Sequence, residues 1–238
     1  MLNKLNLRIA NVYIVKGEKK TVVIDTGPDF REQILRANVR RLDSVLFTHP
    51  HADHIHGIDD LRGFVLEQRR LMDVHADQPT LDRLKEGFGY CFETPQGSSY
   101  PPILIAHVIR HDMPVTIGGE GGTIAFEPLP QLHGDIISLG FRIGGLAYCP
   151  DVSGFPDATV EQLQDLDVLI IDALQYLPHP SHLSLGQALE WIELLKPKRA
   201  ILTHMHIPLD YETVLAETPD HVVPAYDGMA IEIPIESN

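Results

Sequence analysis

Histidine is the residue type that stands out in this chain, with 13 copies among 238 residues. Four of them fall in the segment 48–56, THPHADHIH, which directly follows an apolar run. His49 and His51 are two residues apart, so an extended backbone points both rings to the same side. Asp53 and His54 come after a predicted short turn and can face a second position nearby. Because imidazole nitrogens and carboxylate oxygens are ligands of Zn²⁺ and Mn²⁺ in proteins, the segment predicts a metal-binding loop.

Three further candidate ligands, His133, Asp151 and His204, each stand just after an apolar segment predicted to be a strand. A single histidine is more often structural than a ligand, but here the strand-then-ligand arrangement occurs three times. The carboxyl ends of strands are also where α/β folds usually build their sites. Together with the loop, these residues supply enough ligands for two metal ions, and the two oxygens of Asp151 can bridge them.

The elements that would position these residues follow from the period of the apolar residues along the chain. The first third alternates predicted strands with predicted helices: strands over 7–15, 21–25 and 44–48, helices over 29–38 and 58–70. Five predicted strands follow without a helix, over 103–109, 115–117, 123–129, 138–143 and 146–149. The last third alternates again, with helices over 158–164 and 185–195 and strands over 168–171, 199–202 and 229–233. This order predicts an α/β fold, a mixed sandwich in one domain over residues 1–238, with 89–102 as an inserted loop.

Composition and charge limit the classes of function. The chain has 19 Lys and Arg against 33 Asp and Glu, which gives a formal net charge of −14 at pH 7. Such a charge opposes general binding to DNA or RNA, and an anionic substrate would need a local positive centre. No segment approaches the ~18 apolar residues of a membrane span or resembles a secretory leader, so a cytoplasmic protein without membrane association is expected. The two cysteines, Cys91 and Cys149, match neither a disulfide framework nor a Cys-rich zinc site.

The ligand pattern carries a family resemblance. His49-x-His51-x-Asp53-His54, followed by the three single ligands, resembles the metallo-β-lactamase superfamily, whose fold is an αβ/βα sandwich with a two-metal site along one edge. The resemblance implies a dinuclear site with two divalent ions, Mn²⁺ or Zn²⁺. It assigns the first ion to His49, His51 and His133 and the second to Asp53, His54 and His204, with Asp151 bridging both.

Two further residues gain a role from the same resemblance. Residues 23–27, VIDTG, match the strand and turn whose acidic residue supports the family's metal loop, so Asp25 is expected to orient the ligands. The segment 178–185, PHPSHLSL, leads into a predicted helix with Ser184 as its N-cap. Its His182-Leu183-Ser184 is similar to the histidine motif of the phosphodiesterase branch, which includes tRNase Z-type nucleases and phosphoribosyl cyclic phosphate phosphodiesterases. His182 is therefore expected to contact the scissile phosphate as general acid.

Elementary chemistry agrees with a phosphate ester as the substrate. Metal coordination lowers the pKa of bound water from ~15.7 toward ~7, so a hydroxide nucleophile exists at neutral pH. His182 can then protonate the leaving alkoxide. With the metal ligands Asp53 and Asp151, it makes up the predicted catalytic set.

The predicted function is hydrolysis of a small, cyclic phosphodiester, such as phosphoribosyl cyclic phosphate or a nucleotide-like ester. A nucleoside monophosphate would fit the same pocket as product or mimic. A polynucleotide is not expected, because no basic run is longer than Arg40-Arg41 or Arg69-Arg70. The sequence leaves a homodimer open.

Four alternatives compete with this prediction. Two are activities of the same superfamily, a thioester or lactam hydrolase and a tRNase Z-like nuclease. A TIM-barrel amidohydrolase also places His-x-His after a strand, but the uninterrupted strands over 103–149 oppose it. The last alternative is a non-catalytic metal-binding protein. One departure from the branch also bears on the prediction, because only 24 residues precede Asp25 and no cysteine precedes Cys91. A Cys-type structural zinc is therefore not expected, and substrate contacts from the corresponding segment are in doubt.

Overall fold

The structure, a computed structural model, describes residues 13–17, 19–119 and 122–233. Its contacts separate two compact units, the first within residues 10–125 and the second within residues 126–238. The chain forms two sheets with helices, so the mixed α/β class predicted from the order of elements is confirmed. The boundary falls inside one strand, Ile124–His133, so the described chain has no linker between the units.

The first unit is built around a five-stranded sheet. Its strands are β1 Tyr13–Lys16, β2 Thr21–Ile24, β3 Ser44–Leu46, β4 Met72–Ala76 and β5 Leu104–Val108, and β6 Val115–Ile117 follows them in the chain. Its helices are α1 Phe30–Arg36, α2 Ala52–Ile55, α3 Arg62–Gln68 and α4 Gln78–Phe88, with 3₁₀ turns over Ile58–Leu61 and Gly89–Cys91. The strands lie in chain order across the sheet, with β1 antiparallel to β2 and the later neighbours parallel. The carboxyl ends of β2 and β3 therefore lie at the same edge of this sheet.

Burial explains which of these elements the sequence predicts. β2 and β3 are largely buried runs, TVVI and SVL, and both coincide with predicted strands. β4 and α4 were not predicted, because polar residues alternate with buried ones in β4 and surround the buried Leu81 and Leu84 of α4. The start of α4 is fixed locally, since the side chain of Asp77 accepts a hydrogen bond from the backbone N–H of Thr80 at 3.0 Å.

The second unit carries most of the other sheet. Its strands are β7 Ile124–His133, β8 Ile136–Ile143, β9 Leu146–Cys149, β10 Val168–Asp172, β11 Arg199–Thr203 and β12 Val222–Pro224. Its helices are α5 Asp157–Gln162, α6 Leu185–Leu195 and α7 Tyr211–Glu217. This seven-stranded sheet has the order β12-β11-β10-β9-β8-β7-β6. The strands from β9 to β12 are parallel, so the residues that follow β9, β10 and β11 emerge at one edge.

Local sequence signals account for the sharpest boundaries. At the start of α6, Ser184 and Gln187 form a reciprocal capping box that fixes where the helix begins. The helix ends at Leu195, as predicted, and Lys196 follows it in the left-handed conformation. The predicted helix over 58–70 is divided into a 3₁₀ turn and α3. The predicted strand over 229–233 is wrong, because that segment is irregular and β12 is the strand that pairs with β11.

Two predictions about loops and termini have mixed outcomes. The inserted loop over 89–102 contains one 3₁₀ turn, Gly89–Cys91, and no other helix or strand. The predicted strand over 7–15 lies partly outside the described residues, and its described end coincides with β1. Among the described helices, none is long and apolar enough to cross a membrane.

Candidate metal centre

The histidine loop of the first unit begins where β3 ends. The rings of His49 and His51 lie edge to face with centroids 4.6 Å apart, so both point to the same side as predicted. Their facing nitrogens, Nε2 of His49 and Nδ1 of His51, are 3.1 Å apart. Asp53 and His54 do not follow a simple turn, because both lie in α2, a single helical turn. The ring of His54 comes within 4.2 Å of that of His49, measured between centroids.

Asp25, which follows β2, contacts this loop through both of its carboxylate oxygens. Its Oδ1 accepts a hydrogen bond from the backbone N–H of Thr48 at 2.9 Å. Its Oδ2 lies 2.8 Å from Nδ1 of His54, and both side chains are 1% exposed. Because a carboxylate only accepts, Nδ1 of His54 carries the proton, and the lone pair of this neutral ring is on Nε2. The Nε2 atom also lies 3.5 Å from Oδ2 of Asp53.

Thr48 is a functional residue that the sequence analysis missed. Its hydroxyl is 2.9 Å from Oδ2 of Asp25 and 2.9 Å from Nδ1 of His49. A hydroxyl has one proton to donate, so when that proton goes to the carboxylate, Nδ1 of His49 must donate to Thr48. The lone pair of the His49 ring is then also on Nε2. Thr48 thus lies between Asp25 and His49 and links the tautomer of the His49 ring to the Asp25 carboxylate.

Backbone hydrogen bonds join the end of β2 to the loop. The N–H of Thr26 donates to the carbonyl of His54 at 2.7 Å, and the N–H of Gly57 donates to the carbonyl of Thr26 at 2.7 Å. Gly57 must be glycine for this closure, because a Cβ there would lie 2.3 Å from the carbonyl oxygen of Gly27. The loop is therefore fixed by main-chain contacts as well as by Asp25.

The second unit gathers its candidate ligands around Asp151, which is 2% exposed. Oδ1 of Asp151 lies 3.4 Å from Nε2 of His204, and Oδ2 lies 3.7 Å from Nε2 of His133. The two carboxylate oxygens thus face different histidines, which is the arrangement a bridging ligand needs. The carbonyl of Ser181 accepts from Nδ1 of His133, so the lone pair of that ring is on Nε2.

Three site residues share an unusual backbone conformation. Asp25, Asp151 and His204 have φ values of 64°, 38° and 57°, in the left-handed region that non-glycine residues rarely adopt. Each follows the end of a strand, where the turn aims the side chain at the site. Such conformations cost about 1–3 kcal/mol each and cluster at functional sites. Nothing in the residue types indicates them.

Two buried polar residues hold the backbone beneath Asp151. The hydroxyl of Ser138 donates to the Asp151 carbonyl at 2.8 Å, and Nε2 of Gln131 donates to the Pro150 carbonyl at 2.8 Å. Ser138 and Gln131 both have no exposed surface. Each is a polar residue between apolar neighbours in its strand, Gln131 in β7 and Ser138 in β8. Their hydrogen bonds stabilise the left-handed turn that presents Asp151.

His182 is paired with a buried carboxylate, that of Asp172. Nδ1 of His182 lies 2.8 Å from Oδ2 of Asp172, and Asp172 is completely buried at the end of β10. The same oxygen accepts a hydrogen bond from the N–H of Val152 at 3.1 Å. Burial raises the pKa of the Asp172 carboxyl, and the hydrogen bond to His182 opposes that rise. His182 itself is 12% exposed, and its Nε2 lies 3.9 Å from Oδ2 of Asp151.

The donor set in each unit fits a divalent cation. In the second unit, ligand atoms of Asp172, His182 and His204 lie within 4.8 Å of one another. In the first unit, Nε2 of His49 and of His54 have the lone pairs that a metal ion requires. Each unit thus brings together its own predicted residues. The first unit gathers Asp25, His49, His51, Asp53 and His54, and the second gathers His133, Asp151, His182 and His204.

Comparison with known proteins identifies the family. One family model, described as the beta-lactamase superfamily domain, matches residues 20–205, and the chain belongs to this family. Among solved structures, the chain is similar to a diphosphatase from the PhnP family. The two are 33% identical, the match covers 95% of this chain and 85% of that one, and the TM-score is 0.86. These findings confirm the predicted superfamily, its phosphodiesterase branch and the fold class.

Two further relatives match this chain over only part of their own length. An octanoyltransferase of Porphyromonas gingivalis is 34% identical over 224 residues, 92% of this chain and 44% of the relative. A ribonuclease Z of Bradyrhizobium diazoefficiens is 30% identical over 135 residues, 54% of this chain and 42% of the relative. The chain spans less than half the length of these relatives, so their names describe more protein than the matched part. The predicted class, a metal-dependent hydrolase, agrees with the diphosphatase and the ribonuclease.

Proposed function

We propose that the chain is a dinuclear metal-dependent phosphodiesterase that hydrolyses a small phosphodiester. The observation that carries the proposal is His182, whose Nδ1 is held by the buried Asp172 while Nε2 is directed at Asp151. The family's ligand pattern leaves this histidine unassigned to a metal, so it is available for proton transfer. The similarity to a PhnP-family diphosphatase supports a phosphate ester as the substrate.

The proposed ligand assignment follows the superfamily pattern. The first ion would be held by His49, His51 and His133, the second by Asp53, His54 and His204, and both by Asp151. Nitrogen and oxygen donors of this kind suit Mn²⁺ and Zn²⁺ alike. When bound, the ions supply Lewis-acid activation of water and of the phosphoryl oxygens. Asp25 and Thr48 then serve to hold the rings of His54 and His49 in their metal-binding tautomers.

Proton transfer to the leaving group is the task of His182. Oδ2 of Asp172 accepts a hydrogen bond from Nδ1–H of His182, so a proton on Nε2 is the one directed into the site. The contact with Asp172 at 2.8 Å also fixes the orientation of the ring. General acid catalysis of this kind contributes about 10²–10⁴-fold to a rate. The effect is largest for a leaving alkoxide, which is a poor leaving group when unprotonated.

The charge of the chain favours a small substrate. A net charge of −14 repels a polyanion, whereas the metal ions attract a single phosphodiester. A ribonuclease Z-like activity is the second candidate, because a ribonuclease Z is 30% identical over 135 residues. A cytoplasmic location, a homodimer and a nucleoside monophosphate as product or mimic stay predictions.

One substrate panel tests the proposal. The metal-loaded protein should hydrolyse 2′,3′-cyclic AMP and bis(p-nitrophenyl) phosphate, and should leave a thioester, a chromogenic lactam and a precursor tRNA uncut. His182→Ala should abolish hydrolysis of the cyclic substrate, with both ions retained by elemental analysis. His221→Ala is the matched control, since His221 is exposed and takes part in none of these contacts. Absence of phosphodiester turnover in the metal-loaded protein, or full turnover by His182→Ala, contradicts the proposal.

A further inference from the structure

A second concave surface in the first unit collects positive charge. A cavity of about 420 Å³ lies where the turn between β1 and β2 meets the segment between α1 and β3. Nine of the residues that the structure describes line it, and none of these nine is acidic. We call it the basic cavity after its five cationic residues, Lys16, Lys19, Lys20, Arg40 and Arg41.

This concentration of charge is unusual for the composition of the chain. The chain has 19 Lys and Arg against 33 Asp and Glu, and five of the 19 line this one cavity. In the sequence they fall in two short segments, 16–20, which also contains Glu18, and 40–41. Pairing of β1 with β2 and of β2 with β3 brings the two groups to the same end of the sheet. The fold thus makes a local positive field on an acidic protein.

The two arginines of the cavity have different partners. The guanidinium of Arg40 donates from Nε to the side-chain oxygen of Asn38 at 2.9 Å, a neutral partner that orients it without cancelling its charge. Arg41 does pair with an acid, Oδ1 of Asp43, at 2.9 Å, and remains 60% exposed. Lys16 and Lys19 are exposed at the turn.

Lys20 is the buried member of the group, with 5% of its surface exposed. Its Nζ passes so close to Gly119 that a Cβ at that residue would lie 3.2 Å from it. Gly119 has a φ of 135°, which favours glycine, and its missing side chain leaves room for Nζ of Lys20. Lys20 thus lines the cavity while its Nζ lies beside Gly119, which is not among the nine lining residues.

The basic cavity is separate from the histidine loop. Arg40 and Arg41 precede β3, whereas His49 follows it, and Lys20 precedes β2, whereas Asp25 follows it. Because β2 and β3 are parallel neighbours, the cavity and the loop lie at opposite ends of the same strands. A molecule bound in the cavity therefore does not occupy the candidate metal centre of this unit.

We propose that the basic cavity binds the phosphate chain of a small, multiply phosphorylated molecule. Several adjacent cations suit several adjacent phosphate groups, with the fork of an arginine binding two oxygens and each lysine acting as a point charge. A volume of about 420 Å³ is in the range of small-molecule sites and is too small for a folded nucleic acid. The remaining acidic surface also repels a long polyanion. This site goes beyond the proposed hydrolysis and does not depend on it.

Titration calorimetry with inorganic tripolyphosphate tests the proposal on the full chain. Lys16→Glu and Arg40→Glu should each weaken binding about tenfold or more, because hydrogen bonds to charged groups are worth that much and reversal adds repulsion. Lys85→Glu is the matched control, an exposed lysine outside the cavity, and should change affinity less than twofold. Raising the salt concentration should weaken binding by the native chain more than by Arg40→Glu.

Further titrations identify the class of ligand and show where on the protein it binds. ATP should bind about as tightly as tripolyphosphate if the source is a nucleotide, more weakly if it is free polyphosphate, and adenosine should not bind in either case. His51→Ala, which alters the metal loop, should leave tripolyphosphate binding intact. Loss of binding in His51→Ala, equal weakening in Lys85→Glu, or unchanged affinity in both cavity variants overturns the proposal. Tighter binding of a single-stranded oligonucleotide through the same residues also overturns it.

Discussion

The pairing of Asp172 with His182 allows a direct test of the proposed acid catalysis. Asp172→Asn keeps the size of the side chain but removes the negative charge that lies 2.8 Å from Nδ1 of His182. A hydrogen bond to a charged group is worth about 1.5–3 kcal/mol, and each ~1.4 kcal/mol is a factor of ten. We therefore expect kcat for 2′,3′-cyclic AMP to fall about ten- to 150-fold, with KM and metal content nearly unchanged.

The choice of leaving group makes this prediction specific to proton transfer. The cyclic substrate releases an alkoxide, which needs a proton, whereas bis(p-nitrophenyl) phosphate releases a stable phenolate. The loss caused by Asp172→Asn should therefore be several-fold smaller for the aryl substrate. A merely structural effect would reduce both rates equally. Asp220→Asn, at an exposed carboxylate of the same unit, is the control and should change neither rate.

A double-mutant cycle completes the test. If Asp172 acts only through His182, its replacement should cost nothing further once His182→Ala has removed the ring. Multiplicative losses in the double variant would refute the reasoning, as would an unchanged kcat in Asp172→Asn. Thermal unfolding of each variant checks that the fold is retained.

Three further outcomes follow from the structure. Asp151→Ala should lose bound metal as well as activity, by elemental analysis, and retention of both ions would rule out a bridging role. Gly57→Ala should destabilise the fold by about 1–3 kcal/mol in urea titrations, because its Cβ would lie 2.3 Å from a carbonyl oxygen, whereas Gly63→Ala, with open space around it, should not. Burial and His107 lower the pKa of His75 to about 4. As the pH falls, His75 therefore gains its proton at a higher pH in the unfolded chain than in the folded one. The free energy of unfolding should be greatest above pH ~6.5 and should fall by about 1–2 kcal/mol as the pH drops toward 4. This figure allows for the partial exposure of His75. A flatter urea-stability profile in His75→Gln checks the assignment.

The candidate ligands could be predicted because their chemistry is local. His49 and His51 are recognisable from residue type and spacing, and Asp151 and His204 from their place after apolar strands. The boundaries of α6 were predictable for a similar reason, since Ser184 and Gln187 cap it through contacts three residues apart. A structural feature that depends on residues close together in the chain can therefore be predicted from the sequence.

The parts that could not be predicted depend on distant contacts. Thr48 binds Asp25 across 23 residues, and Gln131 supports Pro150 across 19, so no local pattern shows either role. The segment 229–233 has the alternation of a strand, but β12 is the strand that pairs with β11. The five cations of the basic cavity also meet only through strand pairing. Tertiary structure therefore decides the supporting residues, even where the sequence indicates the candidate ligands.

At Asp25, Asp151 and His204, where the backbone is left-handed, folding stability and site chemistry favour different residue types. Glycine adopts this conformation without strain, so a search for thermal stability alone would favour small, flexible residues there. Chemistry demands a carboxylate or an imidazole instead, and the fold tolerates each of them at some cost in folding free energy. Variants of this protein that are selected only for heat resistance should therefore tend to lose these three side chains first.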